Sequence, residues 1–80
     1  LINHKIEDPK SMLQEWAQAH GFAAPQYVTR NASGPDHQKT FEVEVVINGA
    51  VYGEGVGHSK QAAAKAAAHL ALDKLNQIDF

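Results

Sequence analysis

The chain has 80 residues, no cysteine, 44% hydrophobic and 20% charged residues, and a formal charge of −2. Such a length allows one small domain. The absence of cysteine excludes disulfides, argues against a zinc site of the usual kind, and fits a reducing, cytoplasmic setting. No apolar run approaches the roughly 18 residues of a membrane span, and no signal-peptide pattern opens the chain. The acidic balance is the opposite of a nucleic-acid binder's basic footprint, unless a few of Lys5, Lys10, Arg30, Lys39, Lys60, Lys65 and Lys74 converge on one face.

Leu1 rather than methionine opens the chain, so a piece of a longer protein is expected, with residues 1–7 as a linker or arm. Asp8-Pro9 reads as a helix start, Asp as N-cap and Pro at the first helical position. The spacing of Leu13, Trp16, Ala17 and His20 predicts a helix over 9–20 with one apolar stripe. Gly21 stops it, and Pro25 keeps it from resuming. Residues 26–30 predict a short strand and 31–38 a turn-rich loop. Residues 39–47 alternate, with Phe41, Val43, Val45 and Ile47 on one face and Glu42 and Glu44 on the other. Asn48-Gly49 is a hairpin turn signal, because both positions favour positive φ. Residues 50–55 predict a third strand that Gly53 and Gly55 fray, and 55–59 a flexible lead-in. Ser59 can cap a helix that runs to about residue 76. In it Ala63, Ala66, Ala67 and Ala71 are small enough to sit close to a sheet, although alanine is also simply a good helix former. The domain is expected to cover 8–76, leaving 77–80 as a tail. Helix, three antiparallel strands, helix makes an α+β fold, with both helices packed on one face of the sheet.

The stretches DPKSMLQEW, Pro25-Gln26-Tyr27, GPDHQKTF, YGEGVGHSK and the alanine-rich run after it, in that order and spacing, resemble one family. It is the double-stranded-RNA-binding domain, specifically the one at the C-terminal end of bacterial ribonuclease III. The resemblance spans about Asp8 to Leu75. It implies recognition of A-form RNA by shape, 2′-hydroxyls and phosphates, with little sequence preference. Three regions match the family's contact regions. On the first helix, Gln14 and Gln18 match the polar positions that reach a minor groove, with Glu15 beside them; a glutamine amide both donates and accepts. In the loop, Gly34, Pro35 and His37 match the tip that enters the next minor groove, with Lys39 at its base. At the start of the last helix, Ser59 and Lys60 match a phosphate seat, where the backbone N–H groups already favour an anion. Gln61 and Ala64 depart from the family's basic cluster, which implies fewer phosphate contacts; Lys39 and Lys10 are the cations that compensate, and Lys65, about a turn and a half along from Lys60, is a further candidate that also reads as a solvated helix residue.

No catalytic or metal-ligating residues are expected in this chain, and no cofactor. A two-metal nuclease needs clustered carboxylates, whereas Glu42, Glu44 and Glu54 read as a solvated strand face. The resemblance implies a parent protein that is a Mg²⁺-dependent, homodimeric endonuclease processing double-stranded rRNA and mRNA precursors. The magnesium and the dimer contacts would belong to a nuclease domain upstream of Leu1. The rival reading is a degenerate domain of the same fold that serves protein interaction or dimerisation, which the acidic charge, Gln61 and Ala64 favour.

Overall fold

The computed structural model describes residues 8–78, so the expected linker over 1–7 and the last two residues lie outside the description. Helix α1 spans Pro9–Ala19, strands β1, β2 and β3 span Gln26–Ser33, Thr40–Ile47 and Ala50–Gly57, and helix α2 spans Lys60–Ile78. The strands form one antiparallel sheet in the order β1-β2-β3. Both helices share one core with the inward face of that sheet. This is the α-β-β-β-α arrangement that the periodicity predicts.

α1 begins at Pro9 as expected, but Asp8 holds the N-cap position through its extended backbone, with no side-chain hydrogen bond. The helix end is set by backbone geometry. The Phe22 amide donates to the Ala17 carbonyl (2.8 Å) and the Gly21 amide to that of Gln18 (3.0 Å), the paired bonds of a Schellman motif. Leu13 and Ala17 are fully buried and Trp16 half-buried. His20 does not continue this stripe into the core. It is exposed, its ring 4.3 Å from that of Trp16, and its Nδ1 donates to the Trp16 carbonyl at 2.9 Å.

β1 is longer than the sequence suggests. It runs through Ser33 because residues 31–33 pair with Glu42, Phe41 and Thr40, past a bulge between Thr29 and Asn31. β2 alternates as predicted, with Val43, Val45 and Ile47 buried and Phe41 half-buried. Asn48 and Gly49 take φ of 54° and 81° and close the β2–β3 hairpin.

The expectation for β3 needs correcting. Gly53 and Gly55 do not fray the strand; they are buried in it, and it continues to Gly57, which pairs with Phe41. A Cβ on Gly53 would come within 2.5 Å of the Ala67 carbonyl oxygen, and one on Gly55 would overlap the backbone of Ala63 and Ala67. The glycines are the seat of α2. Ala63, Ala67 and Ala71 meet them from the helix side, all fully buried, while Ala66 is only half-buried. Ala64 and Ala68, one residue further round, form a second buried stripe on a helix that packs on α1 as well as on the sheet. Alanine here sets interhelix and helix–sheet distance, beyond its helix propensity.

Candidate nucleic-acid interface

Three surface regions carry the residues singled out by sequence. On α1, Gln14, Glu15 and Gln18 are exposed while Leu13 and Ala17 point into the core. Lys10 precedes Gln14 by four residues, so Lys10, Gln14 and Gln18 form one polar stripe along the helix. The Lys10 ammonium stands 4.9 Å from the centre of the Tyr27 ring, a cation–π contact that fixes the near end of that stripe to β1.

The loop between β1 and β2 is tighter than a generic turn. Gly34 has φ of +101°, and a Cβ there would lie 2.8 Å from the Gln38 carbonyl oxygen. Pro35 is extended, and residues 36–38 form one 3-10 turn closed by the Gln38 amide donating to the Pro35 carbonyl at 2.9 Å. His37 is exposed in the middle of that turn. Asp36 is fully exposed, and its carboxylate lies 3.9 Å from the Lys39 ammonium, which offsets some of the charge that Lys39 offers a phosphate.

α2 opens on a side-chain cap. The Ala62 amide donates to Ser59 Oγ at 3.0 Å, and the Ala63 amide donates to the Ser59 carbonyl at 2.9 Å. The amides of Lys60 and Gln61, the first two helical residues, are left to point at solvent or a ligand. Positive helix-dipole charge and the exposed Lys60 side chain thus coincide.

The fold joins these regions in sequence around one end of the molecule. Lys60 and Gln61 border a shallow notch together with Lys10, Tyr27 and Thr29, so the start of α2 meets the start of α1. On its other side, the α2 start meets the loop: residues 36–41 and His58 surround a shared recess, and the His58 ring reaches the Lys39 carbonyl. Lys65 is not gathered into this arrangement. Five residues past Lys60, it lies about 140° round the helix axis, in a groove along the free edge of β3 with Glu54, Ala66 and His69.

Charge is partitioned between surfaces. Glu44 and Glu54 are directly opposite in the β2–β3 register, Glu42 lies two residues before Glu44, and all three project from the face of the sheet away from α2. Arg30 is 3.6 Å from Glu44 and answers some of this field. The net charge of −2 therefore coexists with an end where Lys10, Lys39 and Lys60 are the cations. Tyr27 is a local exception to good pairing. Its hydroxyl is buried without a hydrogen-bond partner, and burial, reinforced by the charge of Asp8, raises its pKa above the usual phenol value.

Sequence reasoning gave Lys10 only a compensating role and did not single out Tyr27 or His58 for the interface. The signal for Lys10 was its four-residue offset from Gln14. The contacts of Tyr27 and His58 depend on tertiary proximity and had no local signal.

The family model for the double-stranded RNA binding motif matches residues 9–75. Ribonuclease 3 of Ehrlichia ruminantium is 50% identical over 70 residues, covering 88% of this chain and 31% of that protein. Ribonuclease 3 of Natranaerobius thermophilus is 45% identical over 77 residues, covering 96% of this chain and 34% of that one. The chain thus spans about a third of the length of these relatives. Among solved structures, one of Arabidopsis HYL1, described for its implications for miRNA processing, superposes with a TM-score of 0.77 at 33% identity, over 88% of this chain and 99% of that one. The solution structure of the second dsRBD of DRB4 gives 0.63 at 35% identity, over 84% and 93%.

Proposed function

We propose a function that starts from membership: this chain belongs to the double-stranded RNA binding motif family, and it binds A-form RNA as the substrate-binding domain of a ribonuclease III. Gln14, Glu15 and Gln18 meet one minor groove, Pro35 and His37 meet the next, and Ser59, Lys60, Gln61 and Lys39 hold the phosphates between them. A-form RNA presents a wide minor groove lined with 2′-hydroxyls and a deep major groove that side chains do not read, so contacts of this kind follow shape and sugar. The observation that carries this reading is the position of Lys60, flanked by the α1 end at Lys10 and by the loop through His58. Lys65 lies outside that chain of contacts and serves at most at its margin.

The parent protein is proposed to be a magnesium-dependent, homodimeric endoribonuclease of the cytoplasm that processes double-stranded precursors. The relatives named Ribonuclease 3 support this reading. Among the described residues no three carboxylate or histidine side chains converge on a metal position. The parent's magnesium would be held by residues outside this chain. None of the described helices is long and apolar enough to cross a membrane. The protein-interaction alternative draws no support from the relatives.

The test is a salt-dependent gel shift of the chain on a generic RNA duplex of about 20 base pairs, longer than the roughly 16-base-pair span of this domain type, with DNA duplex as competitor. Retention of RNA binding under DNA excess is expected. Equal competition by DNA, or no shift at low salt, would sink the reading.

A further inference from the structure

His58 has no role in RNA recognition so far beyond its contact with the loop, yet its surroundings are closely determined. It sits between two pinned residues. Gly57 before it pairs with Phe41 and lies against Ala62 and Ala63 too closely to admit a Cβ, and Ser59 after it is the α2 cap. The ring therefore has a fixed origin, and it faces residues 36–41 across a recess of about 670 Å³. Its Nδ1 lies 3.3 Å from the Lys39 carbonyl oxygen, a contact nineteen residues apart in the chain.

The partner identifies the tautomer. A carbonyl oxygen only accepts, so Nδ1 carries the hydrogen and donates. In the neutral ring Nε2 is then a bare acceptor, suited to a 2′-hydroxyl and unsuited to a phosphate. Protonation leaves the Nδ1 bond in place, makes Nε2 a second donor, and adds a positive charge. That charge would appear between Lys39 and Lys60. The other charged or titratable groups facing the ring are Asp36 and His37 in the loop, and the Asp36 carboxylate is already engaged by Lys39. Phosphates are acceptors only, and the interface is short of cations because the uncharged Gln61 holds the exposed position after Lys60.

We propose that His58 is a positioning and binding residue for the RNA duplex: its Nδ1–H straps the loop to the start of α2, and its Nε2 edge meets the RNA backbone between them, more strongly when the ring is protonated. This rests on the double-stranded-RNA reading and adds to it a pH dependence and a residue that ties two contact regions together. A proton added to the ring makes the recess more positive, so affinity is expected to rise as the pH falls.

The experiment measures the affinity of the 80-residue chain for a fluorescent RNA duplex of about 20 base pairs, at constant ionic strength, near pH 8 and near pH 6, which bracket the histidine range. Wild type, His58→Asn and His58→Ala are compared, each checked for an unchanged melting temperature. The Asn amide nitrogen stands close to where Nδ1 does and can donate to Lys39, but it gains no charge. Wild type is expected to tighten about three- to tenfold on acidification, the scale of one net hydrogen bond at an exposed site. His58→Asn should keep the strap but lose the Nε2 contact, so it should bind less tightly than wild type yet better than His58→Ala near pH 8, and show a smaller gain near pH 6. His58→Ala should be weaker at both and should shift the loop amide resonances of residues 36–39 in the free protein. Equal losses for Asn and Ala near pH 8 would overturn the strap, and a full acid response in Asn would overturn the charge contribution. Wild-type behaviour of His58→Ala throughout overturns the whole inference while leaving RNA binding in place. A wild-type chain that binds no duplex at either pH overturns the functional reading as well.

Discussion

Lys60 stands where an exposed ammonium, two free backbone amides and the positive end of α2 coincide. Lys60→Glu is expected to weaken duplex binding at least about tenfold and to reduce the salt slope by about 1, with the circular dichroism spectrum unchanged. Near-wild-type binding would remove Lys60 from the phosphate seat. His37 is proposed to read sugar rather than charge. His37→Ala should weaken RNA binding by about two- to tenfold, the scale of one net hydrogen bond, with almost no change on DNA duplex; parallel losses on both would exclude 2′-hydroxyl reading. Tyr27 yields a stability prediction. Its buried hydroxyl has no partner, so Tyr27→Phe removes an unpaired polar group and is expected to be neutral or up to about 1 kcal/mol stabilising. The raised phenol pKa means that the folded state prefers the protonated ring. Its contribution is intact below the unfolded-state value and lost as the pH rises through the folded one. Wild type should therefore lose stability in strongly alkaline solution more steeply than Tyr27→Phe, as thermal melts across that range would report.

At the scale of the element, α2 and β3 form a unit defined by missing side chains. Gly53, Gly55 and Gly57 lie under Ala63, Ala67 and Ala71, so the helix approaches to backbone contact. Gly55→Ala places its methyl into helix backbone that cannot swing aside as a flexible side chain would. A loss of about 2 kcal/mol or more is expected, in the upper range of overpacking costs, read as a drop in urea midpoint at constant slope. The consequence reaches the interface, because α2 pivoting on β3 would carry Lys60 away from the loop. The variant should lose RNA affinity beyond what its folded fraction explains. A stable Gly55→Ala would mean that α2 has slack against the sheet.

At the scale of the whole molecule, an acidic protein presents opposite characters at two surfaces. Glu42, Glu44 and Glu54 occupy the open face of the sheet, and Lys10, Lys39 and Lys60 the end where α1, α2 and the loop meet. An incoming polyanion is repelled by one and steered by the other, so binding orientation is set before contact. With three cations at that end, the log–log salt dependence is expected to have a slope of about −3, from roughly 0.9 per neutralised phosphate in the duplex-DNA rule. A slope near zero would rule out a phosphate-held complex, and one much steeper would require cations beyond these three.

The sequence by itself determined the element order, the inward face of β2, the Asn48-Gly49 turn and the Ser59 cap. Each of these depends on residues within a few positions of one another, where periodicity and turn chemistry act, whereas the residues proposed to touch RNA came from the family resemblance along the whole chain. It misread Gly53 and Gly55 as weak points, because in isolation glycine weakens a strand; only α2 lying across them shows that a side chain is what the site excludes. His20 was drawn into the apolar stripe by spacing alone, but once Trp16 occupies the space beside Phe22 and Tyr52, its ring is left to stack outside. The strap from His58 to Lys39 and the meeting of Lys10 with Lys60 beside Tyr27 were decided by tertiary structure. Both join positions far apart in the chain, whereas the separation of Lys65 from Lys60 already follows from helix rotation. Only the packed sheet and helices fix which of these residues face one another.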